Sequence, residues 1–117
     1  MCHKQKIVRE NVVIRQDITN TSSFQTPIFL DLIPNEMRVK YCDTDNANTG
    51  ENLVYSSLVN DIVGDVLGGD AFKTVVWDLN KAVRGNFEFQ IRNFADTPVA
   101  DQAGGNLVMV IEFIAYV

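Results

Sequence analysis

The stretch from Leu107 to Val117 constrains this chain more than any other. Apolar side chains fill both halves of a two-residue alternation, with Leu107, Met109, Ile111 and Phe113 on one face and Val108, Val110 and Ile114 on the other. Only Glu112 interrupts them. A strand of this kind is covered on both faces, either inside the domain or against a neighbouring subunit. The same period of two runs through Phe87, Phe89 and Ile91, which alternate with Glu88, Gln90 and Arg92. It also runs through Met37, Val39 and Tyr41, which alternate with Arg38, Lys40 and Cys42. Further strands are expected over 7–15, 28–33, 52–58 and 71–78, which makes seven.

Turn chemistry punctuates these strands closely. Thr26-Pro27, Ile33-Pro34-Asn35, Gly68-Gly69-Asp70 and Gly85-Asn86 are tight breaks, and 43–50 and 95–106 are longer polar loops. Short strands at this spacing read as an all-β, antiparallel sandwich or barrel. At 117 residues the chain is one domain, long enough to bury a core without staples. Residues 1–16 form a basic N-terminal arm or first strand, and 17–117 the sandwich. The segment 58–67 fits the pattern least well. Leu58, Val59, Ile62, Val63, Val66 and Leu67 recur at helical spacing, while Gly64 and the Val/Ile content favour strand. It reads as a short helix, or as a strand with a turn at Val63-Gly64-Asp65.

Charge divides the chain. Residues 1–16 carry four basic side chains (Lys4, Lys6, Arg9, Arg15) against Glu10, a net of +3, and residues 17–117 carry six against fourteen, a net of −8. An acidic body repels phosphate backbones, so nucleic acid is an unfavourable partner except through the arm. No apolar run nears the roughly 18 residues of a spanning helix, and the basic start lacks an apolar stretch behind it, so neither a membrane span nor a secretory signal is expected. Two cysteines, Cys2 and Cys42, are expected as free thiols in a reducing compartment. The Asn20-Thr21-Ser22 triplet is then a chance match to a glycosylation acceptor.

No catalytic constellation emerges, so no enzyme is expected. His3 is the sole histidine, which leaves Ser56, Ser57 and both cysteines without a base and gives zinc no ligand set. The loop Asp43-Thr44-Asp45-Asn46-Ala47-Asn48-Thr49-Gly50-Glu51 begins like a calcium loop but has Ala47 and Asn48 where oxygen and glycine are required. A looser cation site on Asp43, Asp45 and Glu51 stands beside the plainer reading of a solvated loop. No cofactor or metal is expected. Glu112, if buried, needs an arginine partner, with Arg92 or Arg84 the candidates for a structural ion pair. Trp77 is expected in or at the edge of the core. Phe24, Phe94 and Tyr116, placed in loops or at the C-terminus, are candidate subunit contacts together with Lys4, Lys6, Arg9 and Arg15.

Three stretches read together resemble a known family. They are the strand ending in Tyr55-Ser56-Ser57-Leu58-Val59-Asn60-Asp61-Ile62-Val63-Gly64-Asp65, the strand Gly85-Asn86-Phe87-Glu88-Phe89-Gln90-Ile91-Arg92-Asn93, and the closing strand Leu107-Val108-Met109-Val110-Ile111-Glu112-Phe113-Ile114. Across 28–117 the chain resembles the small single jelly-roll proteins of double-stranded DNA viruses, the minor capsid or penton-like components. The resemblance implies a jelly-roll sandwich of about eight strands, the eighth being 58–67. It further implies a virion location, a non-catalytic role, and contacts with further copies and other capsid proteins. The alternative is a small-ligand or carbohydrate-binding β-sandwich whose site lies on loops 43–51 and 93–106.

Overall fold

The structure is a computed structural model that describes residues 6–44, 53–66, 72–99 and 105–117. Among the described residues there are eight strands: β1 (Ile7–Asp17), β2 (Ser23–Phe29), β3 (Glu36–Thr44), β4 (Leu53–Ser56), β5 (Asp61–Asp65), β6 (Trp77–Asp78), β7 (Arg84–Arg92) and β8 (Asn106–Tyr116). They form two four-stranded antiparallel sheets, ordered β1-β8-β3-β6 and β2-β7-β4-β5. The first strand pairs with the eighth, the second with the seventh, the third with the sixth and the fourth with the fifth. That is one long hairpin of four strand pairs rolled into a sandwich, the double Greek key of a jelly roll. The expected fold class is therefore the observed one.

Alternation explains which side chains meet between the sheets. Leu107, Met109, Ile111 and Phe113 of β8 face inward and are fully buried, against Phe89 and Ile91 of β7 and Val54 of β4 in one cluster. The other face of β8 is half-covered, with Val108 and Val110 partly exposed and Glu112 and Ile114 buried. Asn35 ties the sheet together beside β6. Its N–H donates to Ile114 O (2.8 Å), its carbonyl accepts from Leu79 N (2.8 Å), and its side-chain oxygen accepts from Tyr116 N (2.8 Å).

Several boundaries differ from expectation for identifiable reasons. Of the segment 58–67, residues 58–66 are described and hold no helix, and Val63-Gly64-Asp65 is not a turn. The turn is Ser57–Asn60, closed by Asn60 in the left-handed region (φ 52) and by Ser56 Oγ accepting from Leu58 N (3.2 Å). The helical spacing arose because Leu58 reaches the core from that turn, while a register shift against β4 leaves both Val63 and Gly64 buried. The strand expected over 28–33 is β2, over 23–29. Pro27 lies inside it on the side away from β7, where its missing N–H costs no ladder bond. Of the strand expected over 71–78, residues 72–78 are described and only Trp77–Asp78 is strand, after a turn in which Val75 N donates to Phe72 O (3.1 Å). Residues 7–16 of the presumed arm lie in β1.

Candidate interaction surface

The register of the first sheet fixes what its outer face presents. Cross-strand rows run Arg9–Ile114–Glu36, Asn11–Glu112–Arg38, Val13–Val110–Tyr41 and Arg15–Val108–Asp43. Two kinds of chemistry alternate on this face. One is a charged knot around Glu112, which is 4% exposed yet bonded. Arg38 Nε donates to Glu112 Oε1 at 2.8 Å, with Arg9 Nε at 3.9 Å and Lys40 Nζ at 3.8 Å. Three cations over one carboxylate leave a local excess of positive charge on a molecule of net charge −5.

The other is an apolar band. Val13 is 53% and Tyr41 47% exposed, on either side of Val110. Beyond it, Arg15, Tyr41, Asp43, Thr44, Asn106 and Val108 line a groove of about 390 Å³. At the opposite end of the face the Tyr116 hydroxyl donates to Glu36 Oε1, and that bond raises the phenol above its ordinary pKa.

The ion pair expected for Glu112 exists, but its partners are corrected. Arg92 and Arg84 belong to β7 in the other sheet. Arg92 lies 3.8 Å over the Tyr55 ring and pairs with Asp96 (2.8 Å). Arg84 donates to Leu30 O (3.0 Å) and lies over Phe29 (5.9 Å). Arg38 was the reachable partner because β3, not β7, lies beside β8.

The candidate contact residues divide. Arg9, Arg15 and Tyr116 share the outer face just described. Lys6, the first described residue, is exposed and exchanges two backbone bonds of 2.8 Å with Val117. Lys4 lies outside the described residues, as do Asp45 and Glu51 of the loop cation site and both Cys2 and His3. Phe24 is corrected outright. It is not a loop aromatic but a β2 residue, buried and stacked on Phe89 with ring centroids 5.3 Å apart. Phe94 is 63% exposed in a turn where Asn93 N donates to Thr97 O (3.0 Å) and Asn93 Oδ1 accepts from Thr97 N (3.0 Å). It belongs to a separate groove of about 350 Å³ at the β4-β5-β7 face, with Tyr55, Asn60, Asp61, Arg92 and Asp96.

Trp77 packs against the core edge, its Nε1 donating to Asp61 Oδ2 (3.2 Å). Burial pushes the Cys42 thiol up to about 12, with the nearby Asp65 and Asp43 carboxylates adding to the effect and a backbone hydrogen bond at Asp65 opposing it. Among the described residues no three His, Cys, Asp or Glu side chains are grouped to hold a metal ion. The residues that sequence reasoning passed over are Val13, Tyr41, Arg38 and Lys40. Alternation with Met37 and Val39 signalled Arg38 and Lys40, but it set Tyr41 on the inward face. A bulge after Val39 turns Tyr41 outward and Cys42 toward the core. The run Val12-Val13-Ile14 in β1 gave no sign that Val13 points outward. Comparison of the chain with protein-family models, with curated proteins and with solved structures finds no match in any of the three.

Proposed function

We propose that this protein is a structural subunit of a viral particle, a capsid or capsid-associated jelly roll. It would act through contacts with further copies and with other capsid proteins, and without catalysis. The observation that carries the reading is the outer face of the β1-β8-β3-β6 sheet, where Val13, Val110 and Tyr41 form an exposed apolar row beside an excess of cations. Phe29, Ile33, Val76 and Phe94 are exposed as well, but Val13, Val110 and Tyr41 adjoin in one cross-strand row. It is a contiguous apolar patch, not a single exposed side chain, that marks an interaction surface. The jelly-roll order and the resemblance across 28–117 direct that surface toward assembly, since fold alone does not fix function. In this reading the protein is made in a reducing host compartment and resides in the virion.

Light scattering on a sizing column tests it. A multimer whose mass falls when Tyr41→Glu is introduced supports assembly through this face. A strict monomer would take self-association out of the account. The second reading, a carbohydrate- or small-ligand-binding module, is favoured by the groove where Phe94 stands beside Tyr55, Asn60 and Asp61. An aromatic beside amide and carboxylate groups suits a sugar ring. Melting-temperature shifts with sugars or calcium, lost in Phe94→Ala, would support that reading.

A further inference from the structure

Sheet edges are where chains pair with other chains, and natural proteins blunt the ones that must stay single. Three of the four edges here are blunted. β6 has two residues, and β5 has five, with a register shift and an aspartate at each end. In β2, Ile91 N donates to Ser22 O (2.8 Å), so the even-numbered residues bond to β7 and Pro27 falls on the open side, where it offers no donor. β1 carries none of these devices. It runs for 11 residues without proline, glycine or bulge, and no described strand lies on its far side.

The hydrogen-bonding phase of that edge follows from the ladder. Lys6 and Val117 exchange both backbone bonds, Ile18 N donates to Gly105 O (3.0 Å), and the register between them is unbroken. Bonded pairs therefore recur at even positions, and the N–H and C=O groups of Arg9, Asn11, Val13, Arg15 and Asp17 point away from β8. Their side chains are those of the exposed outer face.

We infer that two copies pair antiparallel along β1 about a two-fold axis at Val13, joining their β1-β8-β3-β6 sheets into one sheet of eight strands. The inference rests on the subunit reading above and names its partner as a second copy of this chain. Charge selects the register. With Val13 opposite itself, Arg9 faces Asp17 of the second copy and Asn11 faces Arg15, so two opposite-charge pairs flank an apolar centre. Inside, Val12 faces Ile14 and Glu10 faces Gln16. The neighbouring register that centres on Val12 sets Arg9 against Arg15 twice, and like charges directly opposite are destabilising. The one centred on Asn11 sets Arg9 against Val13 and Arg15 against Ile7. Only the Val13 register also makes the apolar row continuous, running Tyr41–Val110–Val13 and on into the same three residues of the second copy. The contact is self-complementary, as a two-fold interface must be.

Val13→Pro is the discriminating variant. Its lost N–H points to the open edge, so the β1/β8 ladder keeps every bond while the pairing loses its two central ones. Light scattering should give twice the chain mass, or an even multiple, for the wild type, and half of that for Val13→Pro with its melting temperature within a few degrees. Independently of whether that variant folds, Val13→Cys in a Cys2→Ser background should oxidise to a covalent dimer, because bonded partners sit about 5.5 Å apart at Cα. Arg15→Cys should not, because its own copy lies four residues further along. A multimer indifferent to Val13→Pro, with no Val13→Cys cross-link, overturns the pairing and leaves the subunit reading standing. A monomer through the millimolar range overturns the pairing and takes self-association out of the subunit reading, leaving only docking on other capsid proteins.

Discussion

Glu112 is an acid in the middle of an apolar strand, and its neighbours decide whether that costs stability. A buried carboxylate is tolerated only when its lone pairs are occupied, and here the closest donor is Arg38 Nε at 2.8 Å. Arg38→Ala leaves Glu112 with cations at 3.8 and 3.9 Å only, so we expect a loss of about 1–3 kcal/mol in urea unfolding. Glu112→Leu should cost less than Arg38→Ala, since it removes the buried charge and leaves three cations that reach solvent. The opposite ranking would mean that the ion pair itself is a net stabiliser. Cys42 gives a second prediction at this scale. Its thiol is raised from 9.0 to about 12 in the folded chain. Above pH 9 the unfolded chain therefore releases a proton that the folded one keeps, and stability falls by about 1.4 kcal/mol per pH unit until pH 12. Between pH 8 and 10.5 the wild type should lose roughly 2 kcal/mol more than Cys42→Ala, whose other titrating groups are the same. Equal slopes in the two proteins would show that the thiol is not held protonated.

Strands were legible where their alternation was regular, and obscured where a local device broke it. β7 and β8 keep the period of two along their length, and β1 is legible from its apolar content (Ile7, Val8, Val12, Val13, Ile14). β3 is legible from Met37, Val39 and Tyr41 although a bulge after Val39 turns Tyr41 outward, whereas β5 hid behind a bulge and a turn whose Leu58 points inward. Pro27 read as a boundary because a sequence does not reveal which edge of a strand is open, and the same ignorance put Phe24 in a loop. The partner of Glu112 was missed for a related reason. Arg38 faces it only because β3 lies beside β8, and strand order is a property of the whole sheet arrangement. The outer-face site was thus half-visible, its β1 basic residues named and its β3 half unseen. β5 also shows how closely the two sheets approach. A Cβ added to Gly64 would lie 2.7 Å from Cys42 Sγ and 3.1 Å from Cys42 Cβ. Gly64→Ala should accordingly cost about 1–3 kcal/mol by overpacking. Adding Cys42→Ala removes the nearer atom and should recover part of that loss, giving a non-additive double-mutant cycle. Strict additivity would place the cost in the β5 backbone instead.

At the scale of the whole molecule, the jelly-roll order brings the two ends of the described chain together, so β1 is integral to the sheet. Removing residues 1–16 would strip β8 of β1 at every position but Asp17, leaving it paired on one side only, to β3, and a failure of such a truncation to assemble would report unfolding; removing 1–5 keeps the ladder and isolates Lys4. The same closure makes a circular permutant informative. Lys6 and Val117 exchange two hydrogen bonds, so a few Gly/Ser residues in place of 1–5 can join the ends. New termini fit between Lys81 and Ala82, both exposed in the link from β6 to β7. The permutant keeps every strand pair, and its native sheet should melt within a few degrees of the parent. Its kinetics should change more. In the parent the β1-β8 ladder closes a loop of nearly the whole chain, an entropic cost met before the pairing stabilises anything. In the permutant those strands are a local hairpin, so refolding from urea should quicken several-fold while unfolding stays nearly constant. If refolding is unchanged, the rate-limiting step lies elsewhere, with the β2-β7 and β4-β7 pairings of the second sheet the next to test, and the joining of first and last strands comes late on the path.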